Sequence, residues 1–274
     1  MAEATEPDDE KELATVTSAD GTEIAYERSG SGPPLVLVHG STSNHTMWEP
    51  VRPGFADHFT ICAMDRRGHG ESEDADEYGL EREVEDVVAV VESIEEPLTL
   101  LGYSFGGLPS LEAALLTDNL HALVLYEPGG ISDQEIVSDA QFDELTSLVE
   151  DGESEQALVL LRHDIVGLAP VEIDELRDQP NWQNRVERAH LLVREIREIR
   201  EYEFDPARFA DVTTSSLQIT GSESRAAFQD AMATVDEVLP NSRLVTLEGH
   251  GHVAIDTAPD RFIDEVVSFT SEVD

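Results

Sequence analysis

The chain has 274 residues, enough for one large α/β domain or for a core domain carrying an insertion. Its 59 acidic and 17 basic residues give a formal charge of -42, which argues against nucleic-acid binding unless the charge is screened. An apolar content of 40% in regular patterns argues against wholesale disorder, so a folded body under an acidic skin is expected.

Residues 1–12 are acidic without apolar rhythm and are expected to form a flexible tail. They carry neither a basic start nor an apolar run, and nothing later approaches the ~20 apolar residues of a membrane span, so a cytoplasmic location away from membranes is expected. A hairpin follows, with Thr15 to Ser18 and Glu23 to Glu27 as β-prone pieces around the turn signal Ala19-Asp20-Gly21. Leu35-Val36-Leu37-Val38 is an unbroken apolar run of the kind buried on both faces of a parallel sheet. The alternation continues with a strand at Thr60 to Met64, a helix near Leu80 to Ile94 and a strand at Leu98 to Leu101. A helix at Phe105 to Leu116 and a strand at Ala122 to Tyr126 complete this half.

From 128 to 209 the rhythm becomes helical only, with Leu145, Leu148 and Val149 in one segment and Leu158, Leu161 and Ile165 in another. Val186, Ala189, Val193, Ile196 and Ile199 form a third at helical spacing, and the whole reads as an inserted helical cap. Strand and helix then alternate again: Ser216 to Thr220, Ala226 to Val238, Arg243 to Leu247, Pro259 to Thr270. The fold class is therefore α/β, with a mostly parallel sheet of about eight strands covered on both faces. Residues 13–127 and 210–274 form the core, and reactive groups are expected at the carboxyl ends of the strands. Cys62 stands alone in an apolar run and is read as a buried small hydrophobe, so no disulfide framework is expected.

Gly102-Tyr103-Ser104-Phe105-Gly106 lies directly after one of these strands and directly before a helix. Glycines two residues either side of Ser104 permit a sharp turn that lifts its hydroxyl to the top of the sheet, beside a helix N-terminus that favours negative charge. Pro109 is compatible with this if it falls in the first helical turn. A serine hydroxyl needs a base, and Gly249-His250-Gly251-His252 after the last strand offers two histidines whose side chains cannot aim alike. His45, His58, His121, His163 and His190 lack metal-ligand spacing. No metal and no cofactor are implied. Trp48, Trp182 and Tyr103 are candidates for pocket lining or for packing.

The stretch from Leu247 to Phe262 resembles the closing catalytic loop of the α/β-hydrolase family, and the resemblance extends from Val16 to Phe269. It implies that Ser104 is the nucleophile and His252, not His250, the catalytic histidine. Val38-His39-Gly40-Ser41 resembles the family's oxyanion loop, so Ser41 and Phe105 would supply the two backbone donors. Asp65-Arg66-Arg67-Gly68-His69-Gly70-Glu71-Ser72 matches a further family signature, read as a structural turn. The acid departs from the commonest pattern: Ser224 stands where an Asp is usual. Glu127, after the strand ending at Tyr126, and Glu223 remain as candidates, since some branches carry the acid after that earlier strand. A Glu127 paired with a cap arginine is the competing structural role. The scarcity of lysine, with Lys11 alone, and the excess of acid resemble cytoplasmic proteins of salt-accumulating archaea.

The resemblance implies a serine hydrolase that cleaves a small carboxylic ester or related acyl compound through an acyl-enzyme, with a small molecule as its partner. Cofactor-free haloperoxidase or perhydrolase chemistry, C–C bond hydrolysis and a non-catalytic ligand-binding role on the same scaffold are the alternatives. Neither the substrate nor the oligomeric state is written in the sequence.

Overall fold

The computed structural model describes residues 11–132 and 134–273. Among them the strands are β1 (Glu12–Thr17), β2 (Glu23–Gly30), β3 (Pro34–Val38), β4 (Thr60–Met64), β5 (Leu98–Tyr103), β6 (Leu120–Tyr126), β7 (Ser215–Gly221) and β8 (Ser242–Leu247). They form one eight-stranded sheet in the order β1-β2-β4-β3-β5-β6-β7-β8. β1 and β2 pair antiparallel around a turn closed by Gly21 N–H to Ser18 O, and β2 runs antiparallel to β4. From β4 onward every pairing is parallel. The expected tail is shorter than 12 residues at its inner end, because Glu12 already pairs with Arg28; residues 1–10 lie outside the described set.

The apolar runs sort by parity, as a two-residue side-chain period demands. Val36, Val38, Leu98, Leu100, Leu123 and Leu125 face a cluster shared with helices α2 (Leu80–Glu92), α3 (Gly107–Ala113) and α9 (Ala226–Val238). Leu35, Leu37, Leu101, Val124, Leu217 and Ile219 face the opposite cluster, closed by α1 (Arg52–Ala56), α10 (Ala254–Thr257) and α11 (Pro259–Val273). Strands buried on both faces thus need no polar alternation. Cys62 is buried among them.

Between β6 and β7 the described chain contains α4 (Asp139–Glu150), α5 (Ser154–Leu160), α6 (Pro170–Arg177), α7 (Trp182–Glu187) and α8 (Leu192–Glu201), and no strand. These helices share a third apolar cluster that also takes in Ala227 and Phe228 of α9 and Val253 beyond β8, which help seat the layer on the core. Two expected helices differ in detail. The third helical run is broken by a tight turn at Ala189–Leu191, where Leu191 N–H reaches Arg188 O and separates α7 from α8. The helix after Ser104 ends at Ala113, because Leu115 and Leu116 bond back only three residues, and Leu116 is left exposed. Among the described residues no helix is long and apolar enough to cross a membrane.

The strand order reverses at β3, which has β4 on one side and β5 on the other. That reversal opens a crevice at the carboxyl ends of β3 and β5, the usual place for chemistry in an open α/β sheet. Ser41 follows β3 and Ser104 follows β5, so the topology delivers both to this crevice.

Candidate active site

Ser104 sits at the junction of β5 and a short 3-10 turn (Ser104–Gly106) leading into α3, with φ of +53°. A non-glycine residue in this left-handed region costs roughly 1–2 kcal/mol, which the surrounding structure must hold in place. The flanking glycines explain how. A Cβ on Gly102 would meet Ser110 Oγ at 2.5 Å and Gly107 Cα at 2.7 Å, and one on Gly106 would strike the carbonyls of Val38 and His39. Only bare backbone lets β3, β5 and α3 approach closely enough to force the turn. Pro109 is the third residue of α3, within the first turn, where its missing N–H removes no helical bond.

Strands β5, β6, β7 and β8 bring the remaining parts to Ser104 in order. His252, on the loop after β8, has Nε2 at 3.0 Å from Ser104 Oγ, and its Nδ1 lies 2.6 Å from Glu127 Oε2, at the end of β6. The other carboxylate oxygen of Glu127 accepts bonds from Thr220 Oγ1 and Gly221 N–H at the end of β7, both at 2.7 Å. Glu127 is ionised in this setting. Burial pushes its carboxyl up, yet the hydrogen bond and charge of His252, with the Gly221 amide, outweigh burial and hold it below its usual value. An ionised Glu127 requires the imidazole proton on Nδ1, which leaves Nε2 free to accept from the Ser104 hydroxyl.

The structure thus brings Ser104, His252 and Glu127 together and leaves the other candidates aside. Glu223 is exposed, its backbone N–H bonded to His250 O. Ser224 is buried beside Glu127 and helps lower its pKa, although its hydroxyl lacks hydrogen-bonding geometry to any described atom. Among the described residues Glu127 forms no ion pair with a cap arginine; its partner is His252. Backbone strain marks the same place: the non-glycine residues of positive φ among the described residues are Thr42, Ser104 and Glu127.

Several supports carry no sequence signal of their own. His252 is fully enclosed, stacked on Phe228 at 4.5 Å between ring centroids, with Tyr103 and Tyr126 on its other sides. Tyr103 OH donates to His252 O at 3.0 Å, and Tyr126 OH donates to Gly251 O while accepting Ala254 N–H at 3.0 Å. These bonds pin the backbone on both sides of His252. Of the aromatic candidates, Tyr103 lines the cavity over Ser104; Trp48 packs edge-on against Tyr103, and Trp182 is buried among the helices.

The loop after β3 is held by buried polar groups. His39 Nε2 accepts Arg66 N–H at 3.1 Å, so its proton is on Nδ1, which donates to Gly40 O at 2.7 Å. Burial pushes the His39 pKa well down, consistent with this neutral form. Arg66 also reaches toward Gly40 O and lies over the Phe105 ring at 4.1 Å. Anchoring the Gly40 carbonyl fixes the Gly40–Ser41 peptide, and in a trans peptide the Ser41 N–H then points the opposite way. Arg66 is itself clamped by Glu83 and by Glu195 of α8, and Glu195 is shared with His69 at 2.8 Å. Residues 65–72 are therefore a buried ionic joint between the core and α8. His45 also serves this joint, bonding the buried Asp65.

Above Ser104 lies a narrow, partly open cavity of about 30 Å3. Its walls include Gly40, Ser41 and Ser104 from the core and Leu161, Arg162, Ile165 and Arg185 from the helical layer. Among the described residues no group of three His, Cys, Asp or Glu side chains is arranged to hold a metal ion.

Comparison with known proteins agrees with the fold. Residues 35–265 match the profile described as "Alpha/beta hydrolase family". The solved structure of an alpha/beta hydrolase from Sphaerobacter thermophilus superposes with a TM-score of 0.82 at 32% identity, covering 93% of this chain and 99% of that one. A 2-(acetamidomethylene)succinate hydrolase of Mesorhizobium japonicum is 25% identical over 258 residues, covering 90% of this chain and 91% of its own length. A pimeloyl-(acyl-carrier protein) methyl ester esterase of Aeromonas hydrophila is 26% identical over 269 residues, with 90% and 98% covered.

Proposed function

The chain belongs to the alpha/beta hydrolase family, and on that premise we propose that it is a serine hydrolase acting on small acyl esters through a covalent acyl-enzyme. The observation that carries this reading is the continuous hydrogen-bonded chain Ser104–His252–Glu127, with each member on a different strand end. His252 Nε2 takes the Ser104 proton as Oγ bonds to the ester carbonyl carbon, and Glu127 stabilises the imidazolium so formed. The backbone N–H groups of Ser41 and Phe105 receive the developing oxyanion, where one such donor is worth about 3 kcal/mol. Collapse breaks the bond to the alkoxide, which leaves with the proton from Nε2. Water, deprotonated by the same nitrogen, then releases the carboxylic acid and restores Ser104.

The narrow void supports small substrates, and the Aeromonas relative, named as a methyl ester esterase, supports ester chemistry. Mixing the protein with p-nitrophenyl acetate tests the reading. A rapid burst of about one p-nitrophenol per protein chain is expected, followed by slower turnover, and Ser104→Ala abolishes both. Turnover by Ser104→Ala within about ten-fold of wild type would remove Ser104 from the mechanism.

A further inference from the structure

The cavity over Ser104 holds two cations that the proposed chemistry does not use. Arg162 and Arg185 line its wall, and they are only 5% and 7% exposed. Nε of each is buried without a hydrogen-bond partner, and among the described residues neither guanidinium enters an ion pair; the polar side chain set against Arg162 is the neutral Tyr103. Asp256 is the carboxylate that both feel, at electrostatic range rather than in contact, and burial pushes its own pKa up. Burial and the charge of Arg185 push Arg162 down to about 10, which still leaves it charged near neutrality. By contrast, the other buried arginines of the site region are matched: Arg66 with Glu83 and Glu195, and Arg67 with Asp86 and Asp20.

Two like charges held close in a buried site without contacting counter-ions destabilise the folded state, so their retention calls for an anion that satisfies them. A chain with 59 acidic residues offers ample carboxylates, yet among the described residues the one whose charge reaches both arginines is Asp256, which ion-pairs with neither. The local backbone is unusual at the same point. Arg162 lies in a π-helical turn, Leu161–Val166, that continues α5 and ends at Gly167 with φ of +93°. Such turns shift side chains off the regular helical face and recur at functional sites.

We propose that Arg162 and Arg185 form a carboxylate-binding subsite, so that the substrate is an ester or related acyl compound bearing a second, free carboxylate beyond its scissile carbonyl. This deepens the serine-hydrolase reading and rests on it for the reacting end of the substrate. Guanidinium groups bind a carboxylate through paired N–H donors, and the low exposure of both side chains strengthens that bond. The hydrolysed product is then a dicarboxylate.

The test compares monomethyl succinate, glutarate and adipate with methyl butanoate, pentanoate and hexanoate at one fixed KCl concentration, following methanol release. Wild type is expected to favour the acid ester over its neutral counterpart by at least ~10-fold in kcat/KM at one chain length or more. In Arg162→Gln/Arg185→Gln that ratio falls at least ~10-fold, and Arg162→Lys/Arg185→Lys recovers part of it. Binding of glutarate, measured by calorimetry without any turnover, is expected for wild type and absent from the double Gln variant with its thermal transition intact. Should the Gln variant fail to fold, wild-type preference and the Lys variant still decide. A wild type that favours the neutral esters at all three lengths, or that binds glutarate no better than the neutral dimethyl ester, overturns the subsite. Failure of the serine reading looks different: no ester is cleaved, while glutarate binding persists.

Discussion

Replacing Glu127 by Gln probes the choice between two carboxylates that the sequence leaves open and the short hydrogen bond by which one of them meets His252. One carboxylate oxygen faces Gly221 N–H and the Thr220 hydroxyl, and the other faces His252 Nδ1 at 2.6 Å. The Gly221 amide is fixed backbone, so the Gln carbonyl must take the first position and its NH2 the second. That NH2 donates toward Nδ1, forcing the imidazole proton onto Nε2, where it points at Ser104 and the base is lost. The charge that stabilises the imidazolium disappears as well. A loss of ~10^4-fold in kcat is expected, about 5 kcal/mol of transition-state stabilisation. Steady-state hydrolysis of p-nitrophenyl acetate, with thermal unfolding as the check on folding, measures it. Glu223→Gln alters an exposed side chain and is expected to stay within about 3-fold of wild type. Retention of activity within about 3-fold by Glu127→Gln, or a large loss in Glu223→Gln, would refute the assignment.

Other expectations concern stability. Arg66→Met leaves Glu83 and Glu195 without their buried partner and is expected to cost about 3–5 kcal/mol in denaturant unfolding. Glu195 gives a pH signature of the same joint. Burial raises its carboxyl pKa, but Arg66 and His69 overcome this and hold it far below the usual value of 4.5. A depressed folded-state value means that the stabilisation is complete above about pH 4.5 and fades as pH falls through the folded value. Melting curves of wild type should therefore fall on the acid side of pH 4.5, and Glu195→Gln should flatten that dependence while lowering stability at pH 7. The charge of -42 makes a separate demand: circular dichroism should record loss of structure as KCl falls from molar to millimolar levels. Full folding in dilute buffer would contradict a salt-tuned surface.

Parts of this protein are written locally and parts are not. Leu35 to Val38 and Leu98 to Leu101 announce doubly buried strands, and Gly102 to Gly106 announces a turn, because each depends only on its own few residues. The order β4-β3-β5 that creates the crevice is a long-range property, legible through the family resemblance rather than through any segment. Glu127 was visible as a carboxylate after a strand. Its choice over Glu223 depends on donors from Thr220 and Gly221, ninety-three and ninety-four positions away. Phe228 and Tyr126 read as ordinary apolar periodicity, since enclosing a histidine and enclosing a leucine require the same side chains. The arginines of the cavity were hidden for another reason. The regular helical spacing used to sort faces fails across the π-helical turn at Arg162 and across the tight turn that separates α7, which carries Arg185, from α8.

The nucleophile is the claim on which the rest depends. Incubation of the protein with a fluorophosphonate in molar KCl, followed by peptide mass analysis, tests it most directly. A single adduct on Ser104 is expected, absent from Ser104→Ala and much slowed in His252→Ala. A folded wild type that takes up no label, or that carries it on another residue while Ser104 stays free, would contradict the account.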